Sequence, residues 1–80
     1  MNYVYILQSI SYPEQFYTGL CKDVHDRLVR HNAGQSPHTS KFKPWRLLSF
    51  HWFEQPETAA AFERYLKSGS GRAFANKRLR

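Results

Sequence analysis

Cysteine is nearly missing from this chain: Cys21 stands alone among 80 residues. A lone thiol closes no internal disulfide, which excludes the stapled secreted scaffolds and points to a reducing cytoplasm. A reactive-thiol role for Cys21 is the minor reading, because thiol reactivity needs an electropositive, accessible setting. Long apolar runs are missing too. No stretch approaches the roughly 18–20 residues that span a bilayer, and no signal-peptide pattern opens the chain, so a soluble protein with no membrane partner is expected. Repeats and low-complexity tracts are absent. Acidic residues are scarce: six Asp and Glu stand against twelve Lys and Arg, a formal net charge of +6. That imbalance suits a polyanionic partner, although a cationic surface can also serve solubility alone.

What is abundant is aromatic. Two Trp, five Tyr and six Phe give a short chain large side chains to bury, enough for one small domain over residues 1–80, near the lower size limit for a single core. Tyr3-Val4-Tyr5-Ile6-Leu7 has the β-branched and aromatic character of a strand. Ser11-Tyr12-Pro13-Glu14 carries turn chemistry, and Phe16-Tyr17-Thr18-Gly19-Leu20 reads as a second strand, so the two form a hairpin. Side chains alternate faces along a strand, which puts Tyr3 with Tyr5 and Tyr17 with Gly19. Gly19 has no Cβ and admits a backbone or ligand at close range. Trp45–Phe53 reads as a third strand opened by Pro44. Of the adjacent Trp52 and Phe53, one is free to stack on bases, but core packing is the expectation for both.

Helical spacing fills the rest. Val24 and Leu28 lie four apart on one face, Asp23 and Asp26 fall in the first turns, and Asn32 or Gly34 offers a left-handed cap. Arg27 and His31 project from one strip beside that apolar stripe. Gln35–Lys43 is expected to be a surface loop. Pro56-Glu57 opens the best helix, with Ala59, Phe62 and Leu66 as its stripe and Gly69 as its stop. Glu63 flanks that stripe and must find either a partner, Arg64 or Lys67 of the same helix, or a metal. Ser70 is the expected cap of a short last helix, Arg72–Leu79. The fold class is therefore α+β: a three-stranded antiparallel sheet covered by helices near 23–33 and 57–67, with a short helix near 71–79.

The order of these pieces resembles a known family. Val4-Tyr5 within YVYIL, Tyr17-Thr18-Gly19, Arg27, His31-Asn32, Pro44-Trp45-Arg46-Leu47 and the helix carrying Glu63, Lys67 and Ser68 are similar to the GIY-YIG endonuclease superfamily, and to its small stand-alone bacterial branch above all. Tyr3 stands where the family name has glycine. Cys21 stands where a Thr or Ser cap is usual. The resemblance implies metal-dependent hydrolysis of DNA phosphodiesters, in repair or processing, with Mg²⁺ or Mn²⁺ as cofactor; whether RNA competes with DNA as partner is left open by the sequence. It assigns catalytic positions to Tyr5, Tyr17, Arg27, His31 and Glu63. Glu63 would hold the metal, Tyr5 would be the general base, Tyr17 would share or orient its hydrogen bonds, and Arg27 would hold the scissile phosphate. His31 would position Tyr17, the water or a phosphate oxygen. Some members carry an asparagine near the C-terminus, for which Asn76 is the candidate.

Two points of chemistry bear on these roles. Magnesium keeps several waters and takes one or two carboxylates, so a single glutamate is an adequate but weak anchor. A phenol with its ordinary pKa near 10 is about 0.1% ionised at neutral pH, which makes tyrosine a poor base unless positive charge stabilises the phenolate. Candidate nucleic-acid contacts are Lys41 and Lys43 in the loop and Lys67, Arg72, Lys77 and Arg78 toward the C-terminus, where Lys67–Arg80 contains no acid. The competing function is a binding module of the same fold that cleaves weakly or not at all. A protein adaptor using Tyr12, Trp45, Trp52 and Phe53 as a surface patch ranks last.

Overall fold

The computed structural model describes residues 1–80. Strands β1 (Tyr3–Ser9), β2 (Phe16–Cys21) and β3 (Trp45–Trp52) form one antiparallel sheet in the order β2-β1-β3. The first strand takes the centre because its side chains are apolar on both faces: Val4, Tyr5, Ile6 and Leu7 are all buried. Register sets Tyr5 opposite Gly19 of β2 and Phe50 of β3, and Tyr3 opposite Cys21 and Trp52. Between Ile6 and Leu7 the pairing with β3 slips by one residue, so Leu48 is extra. The hairpin closes through the Gln15 N–H donating to the Tyr12 carbonyl at 2.8 Å.

Helix α1 (Val24–Asn32) starts on Asp23, whose carboxylate accepts from the Asp26 N–H at 3.0 Å. The cap thus sits two residues after Cys21, which ends β2. Gly34 follows at φ +77°, a conformation that favours glycine. The segment expected to be plain loop contains a one-turn helix, α2 (Pro37–Ser40). Proline at its first position presets the helical φ. Helices α3 (Pro56–Lys67) and α4 (Gly69–Arg78) complete the chain. The last helix begins earlier than expected, with Ser68 in place of Ser70 as its cap: Ser68 Oγ accepts from the Gly71 N–H at 3.2 Å. Gly71 is buried so tightly that a Cβ there would lie 1.7 Å from the Tyr65 carbonyl oxygen.

The two sheet faces carry different cores. Val4 and Ile6 pack with Ala59, Leu66 and Ala75 under α3 and α4. Tyr5, Leu7, Cys21 and Trp45 pack on the other side with Tyr17, Val24 and Leu28. Trp52 is 59% exposed, against the expectation of core packing, because it lies on the edge strand. Phe53 does pack, 5.3 Å from the Phe62 ring. The adaptor patch does not form. Trp45 is buried, while Tyr12 follows β1 and Trp52 pairs with its first residue, at the opposite end of the sheet. No helix is long and apolar enough to cross a membrane.

Candidate active site

The row Tyr5–Gly19 places a tyrosine ring against a glycine. A Cβ on residue 19 would lie 2.6 Å from Tyr5 Oη, so the close approach that Gly19 permits is made by this ring and not by a ligand. Passing over Gly19, the Tyr5 hydroxyl reaches His31 Nε2 of α1 at 2.8 Å. His31 also lies 4.9 Å, ring to ring, from Tyr17 on the edge strand β2. Arg27 sits one turn before His31 on α1. Helical spacing and strand alternation thus bring Tyr5, Tyr17, Arg27 and His31 together between sheet and helix.

An open cleft of about 200 Å³ lies there, lined by Tyr17, Arg27, Arg30, His31, Gln35 and Ser36. Its two arginines differ. Arg30 is held by Asp26 at 2.8 Å on the exposed side of α1. Arg27 is half-buried and forms no ion pair; the chain's two side-chain ion pairs are Asp26–Arg30 and Glu63–Lys67. A guanidinium with no carboxylate beside an open cleft is a ready anion site.

The buried groups titrate away from their usual ranges. Burial, with Tyr17 beside it, pushes the Tyr5 phenol well above its ordinary value, and Arg27 offsets only part of this. Burial, then Arg27, pushes His31 below the usual imidazole range, which favours the neutral ring. Burial likewise raises the Cys21 thiol, so Cys21 lacks the depressed pKa of a reactive cysteine. Of the two tyrosines, Tyr5 is 1% exposed, whereas Tyr17 lines the cleft.

Residues that sequence reasoning passed over hold this arrangement. Thr39 of α2, fully buried, places Oγ1 2.8 Å from His31 Nδ1. Its carbonyl accepts from the Trp45 Nε1–H at 2.9 Å. Asn32, read as a cap, instead straps α1 to β3: Oδ1 accepts from the Trp45 N–H at 2.6 Å and Nδ2 donates to the Trp45 carbonyl at 3.0 Å. Ser36-Pro37 was a legible helix start, but the contact of Thr39 with His31 is tertiary and has no local signature.

Glu63 is not grouped with the other four. It belongs to α3, across the sheet, is 14% exposed, and pairs with Lys67 Nζ at 2.5 Å. Lys67 lines a second cleft with Phe16, Tyr17, Thr18, Leu66, Arg72 and Arg80, so Tyr17 borders both clefts across the β2 edge. Among the expected phosphate contacts, Lys67 and Arg72 converge there. Lys77 and Arg78 end α4. Lys41 lies 5.8 Å from the Phe42 ring, and Lys43 comes near Gly34. Arg80 stacks 4.0 Å over Phe16, which makes it a packed residue of the tail. Asn76 accepts from Arg80 Nη1 at 2.8 Å.

The family model of the GIY-YIG catalytic domain matches residues 1–78. The chain belongs to the GIY-YIG family. It is also similar to a UPF0213 protein of Clostridium perfringens, 37% identical over 68 residues (84% of this chain, 71% of the relative). A UPF0213 protein of Haloquadratum walsbyi is 35% identical over 68 residues, 84% of this chain and 74% of its own. One from Streptococcus pyogenes serotype M3 is 31% identical over 72 residues, 89% and 76% respectively. No solved structure matches. GIY-YIG is a nuclease family, its substrates are nucleic acids, and its members generally depend on a divalent metal.

In this GIY-YIG chain the donor set for such an ion is small. No cluster of three or more His, Cys, Asp or Glu side chains exists, and Glu63 already shares one oxygen with Lys67. One carboxylate oxygen remains for a hard ion, within what magnesium takes from protein when water and substrate phosphate supply the rest.

Proposed function

We propose that this chain hydrolyses phosphodiester bonds in DNA, in the cleft between Tyr17 and Arg27. The observation that carries the reading is Arg27, a half-buried guanidinium without a carboxylate, one helical turn from His31 and beside two tyrosines. Arg27 binds the scissile phosphate and offsets the charge that builds on its oxygens during attack. Tyr17 lines the cleft and orients the attacking water. Burial opposes the Tyr5 phenolate, which suits an orienting role for Tyr5 beside the base role that the family resemblance implies. His31, neutral and buried, fixes the Tyr5 hydroxyl and supports the Tyr17 ring.

Glu63 is the residue that would hold Mg²⁺ or Mn²⁺, through the carboxylate oxygen not shared with Lys67. A bound ion would supply positive charge for the phosphate and the leaving alkoxide. Lys67, half-exposed at the second cleft, meets the substrate backbone with Arg72. Lys77 and Arg78, in the last turn of α4, are further candidates for contact with the backbone. The reading of a binder without cleavage is favoured by one observation, the intact Glu63–Lys67 pair.

Labelled single-stranded, duplex and branched DNA, and RNA, incubated with magnesium, manganese or EDTA, test the proposal. Cleavage is expected with metal and not with EDTA. Arg27→Ala should lower the rate about 10²–10³-fold, the usual cost of losing one transition-state donor. Glu63→Gln should lose metal-dependent cleavage and keep binding. Binding by wild type without cleavage would leave the binder reading, and full activity of Glu63→Gln at limiting magnesium would put the metal site elsewhere.

A further inference from the structure

We infer that Thr39 is a positioning residue of this site, its hydroxyl fixing His31 as the tautomer protonated at Nδ1 so that Nε2 accepts the Tyr5 hydroxyl. A line of polar atoms runs through the α1 side of the sheet. Tyr5 Oη lies 2.8 Å from His31 Nε2, His31 Nδ1 lies 2.8 Å from Thr39 Oγ1, and Thr39 Oγ1 donates to the Ser36 carbonyl at 3.4 Å. The last atom gives the line a direction, because a carbonyl only accepts, and the Ser36 carbonyl also takes the Thr39 and Ser40 N–H groups at 3.2 and 3.0 Å. Thr39 has one hydroxyl proton; directed at Ser36, it leaves Oγ1 to accept, which requires a proton on Nδ1. A neutral imidazole carries only one N–H. Nε2 is therefore an acceptor, and the Tyr5 O–H donates to it.

This arrangement gives each of three donors one acceptor. The opposite tautomer aims an N–H at the Tyr5 oxygen and sends the Tyr5 proton to another acceptor. It also draws the Thr39 proton away from Ser36. Burial of His31 below its usual range and of Tyr5 above its own keeps both groups neutral and supports this count.

Packing alone does not explain the hydroxyl. Thr39 is 1% exposed, and valine would fill the same volume. The threonine backbone is itself anchored, since its carbonyl takes the indole N–H of buried Trp45. The site thus reaches from the central strand through α1 to α2 and back to β3. In catalysis the fixed imidazole holds the Tyr5 hydroxyl over Gly19 and backs the Tyr17 ring. That consequence rests on the nuclease reading; the tautomer does not.

The experiment reads imidazole ¹⁵N shifts of the ¹⁵N-labelled full chain at neutral pH, with His31→Gln to assign the signals. Wild type is expected to show a protonated Nδ1 and an unprotonated Nε2 on His31. Thr39→Val should shift His31 toward the Nε2–H form, and Thr39→Ser should restore the wild-type pattern. Thr39→Ala replaces valine if that variant does not fold. In the cleavage assay, Thr39→Val should lower kcat roughly 10–10²-fold, as misplacement of a site by up to an ångström does, with KM little changed and serine restoring the rate. An Nε2–H imidazole in wild type, an unmoved tautomer in a folded Thr39→Val or Thr39→Ala, or a shifted tautomer with unchanged kcat overturns the inference. If wild type proves not to cleave, the nuclease reading fails and the positioning role fails with it, while the spectra still decide the tautomer.

Discussion

Two faces of one small sheet are held by different physics. On the α3–α4 side, Val4 and Ile6 meet Ala59, Leu66 and Ala75, with Phe62 and Phe53 around them. Small residues there let the helices come close, and Gly71 lets α4 press on the end of α3. On the α1–α2 side the buried Tyr5, His31 and Trp45 carry polar ends, and each of these ends is used. Tyr5 reaches His31, His31 reaches Thr39, and the Trp45 indole donates to the Thr39 carbonyl. No buried side-chain nitrogen or oxygen lacks a partner. The first face depends on volume, so its apolar residues can exchange if their sizes match. The second depends on direction, so a single lost hydroxyl leaves a buried group unsatisfied. A fold that keeps its buried polar line on one side can hold Tyr5, Tyr17, Arg27 and His31 there while the apolar core of the other side supplies stability.

Gly71→Ala is the largest break available on the volume side. Its Cβ would fall 1.7 Å from a backbone oxygen that cannot swing aside, so α4 must shift away from α3. The loss is expected to reach or exceed the ~1–3 kcal/mol typical of overpacking, measured by urea unfolding. The His31 ¹⁵N pattern should survive in the folded fraction. Unchanged stability would mean that α4 does not need this contact.

Gly19→Ala makes the matching test on the directional side, with a smaller stability effect. The clash is with the far end of a side chain, Tyr5 Oη at 2.6 Å and Cζ at 2.7 Å. The ring can move, so the cost is expected near ~1 kcal/mol, the low end for overpacking. The moved hydroxyl, however, leaves His31 Nε2. Activity should therefore fall more than stability, by tenfold or more on the usual sensitivity of a site to misplacement. Equal losses of both would erase the distinction between the faces.

The difference between the faces also explains what was legible in the residues. Strand composition, Val24–Leu28 and Ala59–Phe62–Leu66 are periodic, and periodicity is a local signal; the sheet and the main helices followed from it. Tyr3 facing with Tyr5, and Tyr17 with Gly19, was likewise a matter of alternation, whereas the register that sets Tyr5 opposite Gly19 is tertiary. The partners of Thr39 and Asn32 are tertiary, so neither residue announced its role. The Ser70 cap was misplaced because Ser68 and Ser70 are equally good locally, and the choice falls to Gly71, whose buried contact is with Tyr65 in the preceding helix. Glu63 marks the limit. Its ion pair with Lys67 was readable from i,i+4 spacing and is present, whereas a metal needs ligands that no spacing along α3 supplies.

The smallest effect uses one histidine on each face. His31 and His51 are both pushed below the usual imidazole range, His31 by burial and Arg27, His51 by burial alone. His51 packs edge-on against Phe62 at 5.3 Å, near Ser49 Oγ at 3.3 Å; His31 has Tyr5 and Thr39 on its nitrogens. A depressed pKa means that the unfolded chain binds protons more readily than the fold. Stability is therefore fully present above the unfolded value of about 6.5 and declines as pH falls from there through the folded values. Tm should be level near pH 7.5–8 and fall between roughly pH 6.5 and 5, before carboxylates titrate. His51→Gln should remove one proton's share of that slope and leave cleavage intact. His31→Gln should remove a similar share and take the Tyr5 hydroxyl's acceptor with it, so cleavage falls as well. A Tm independent of pH over this window would show that neither face resists protonation. If His51→Gln cost activity as much as His31→Gln, the Tyr5–His31–Thr39 line would have no special part in activity.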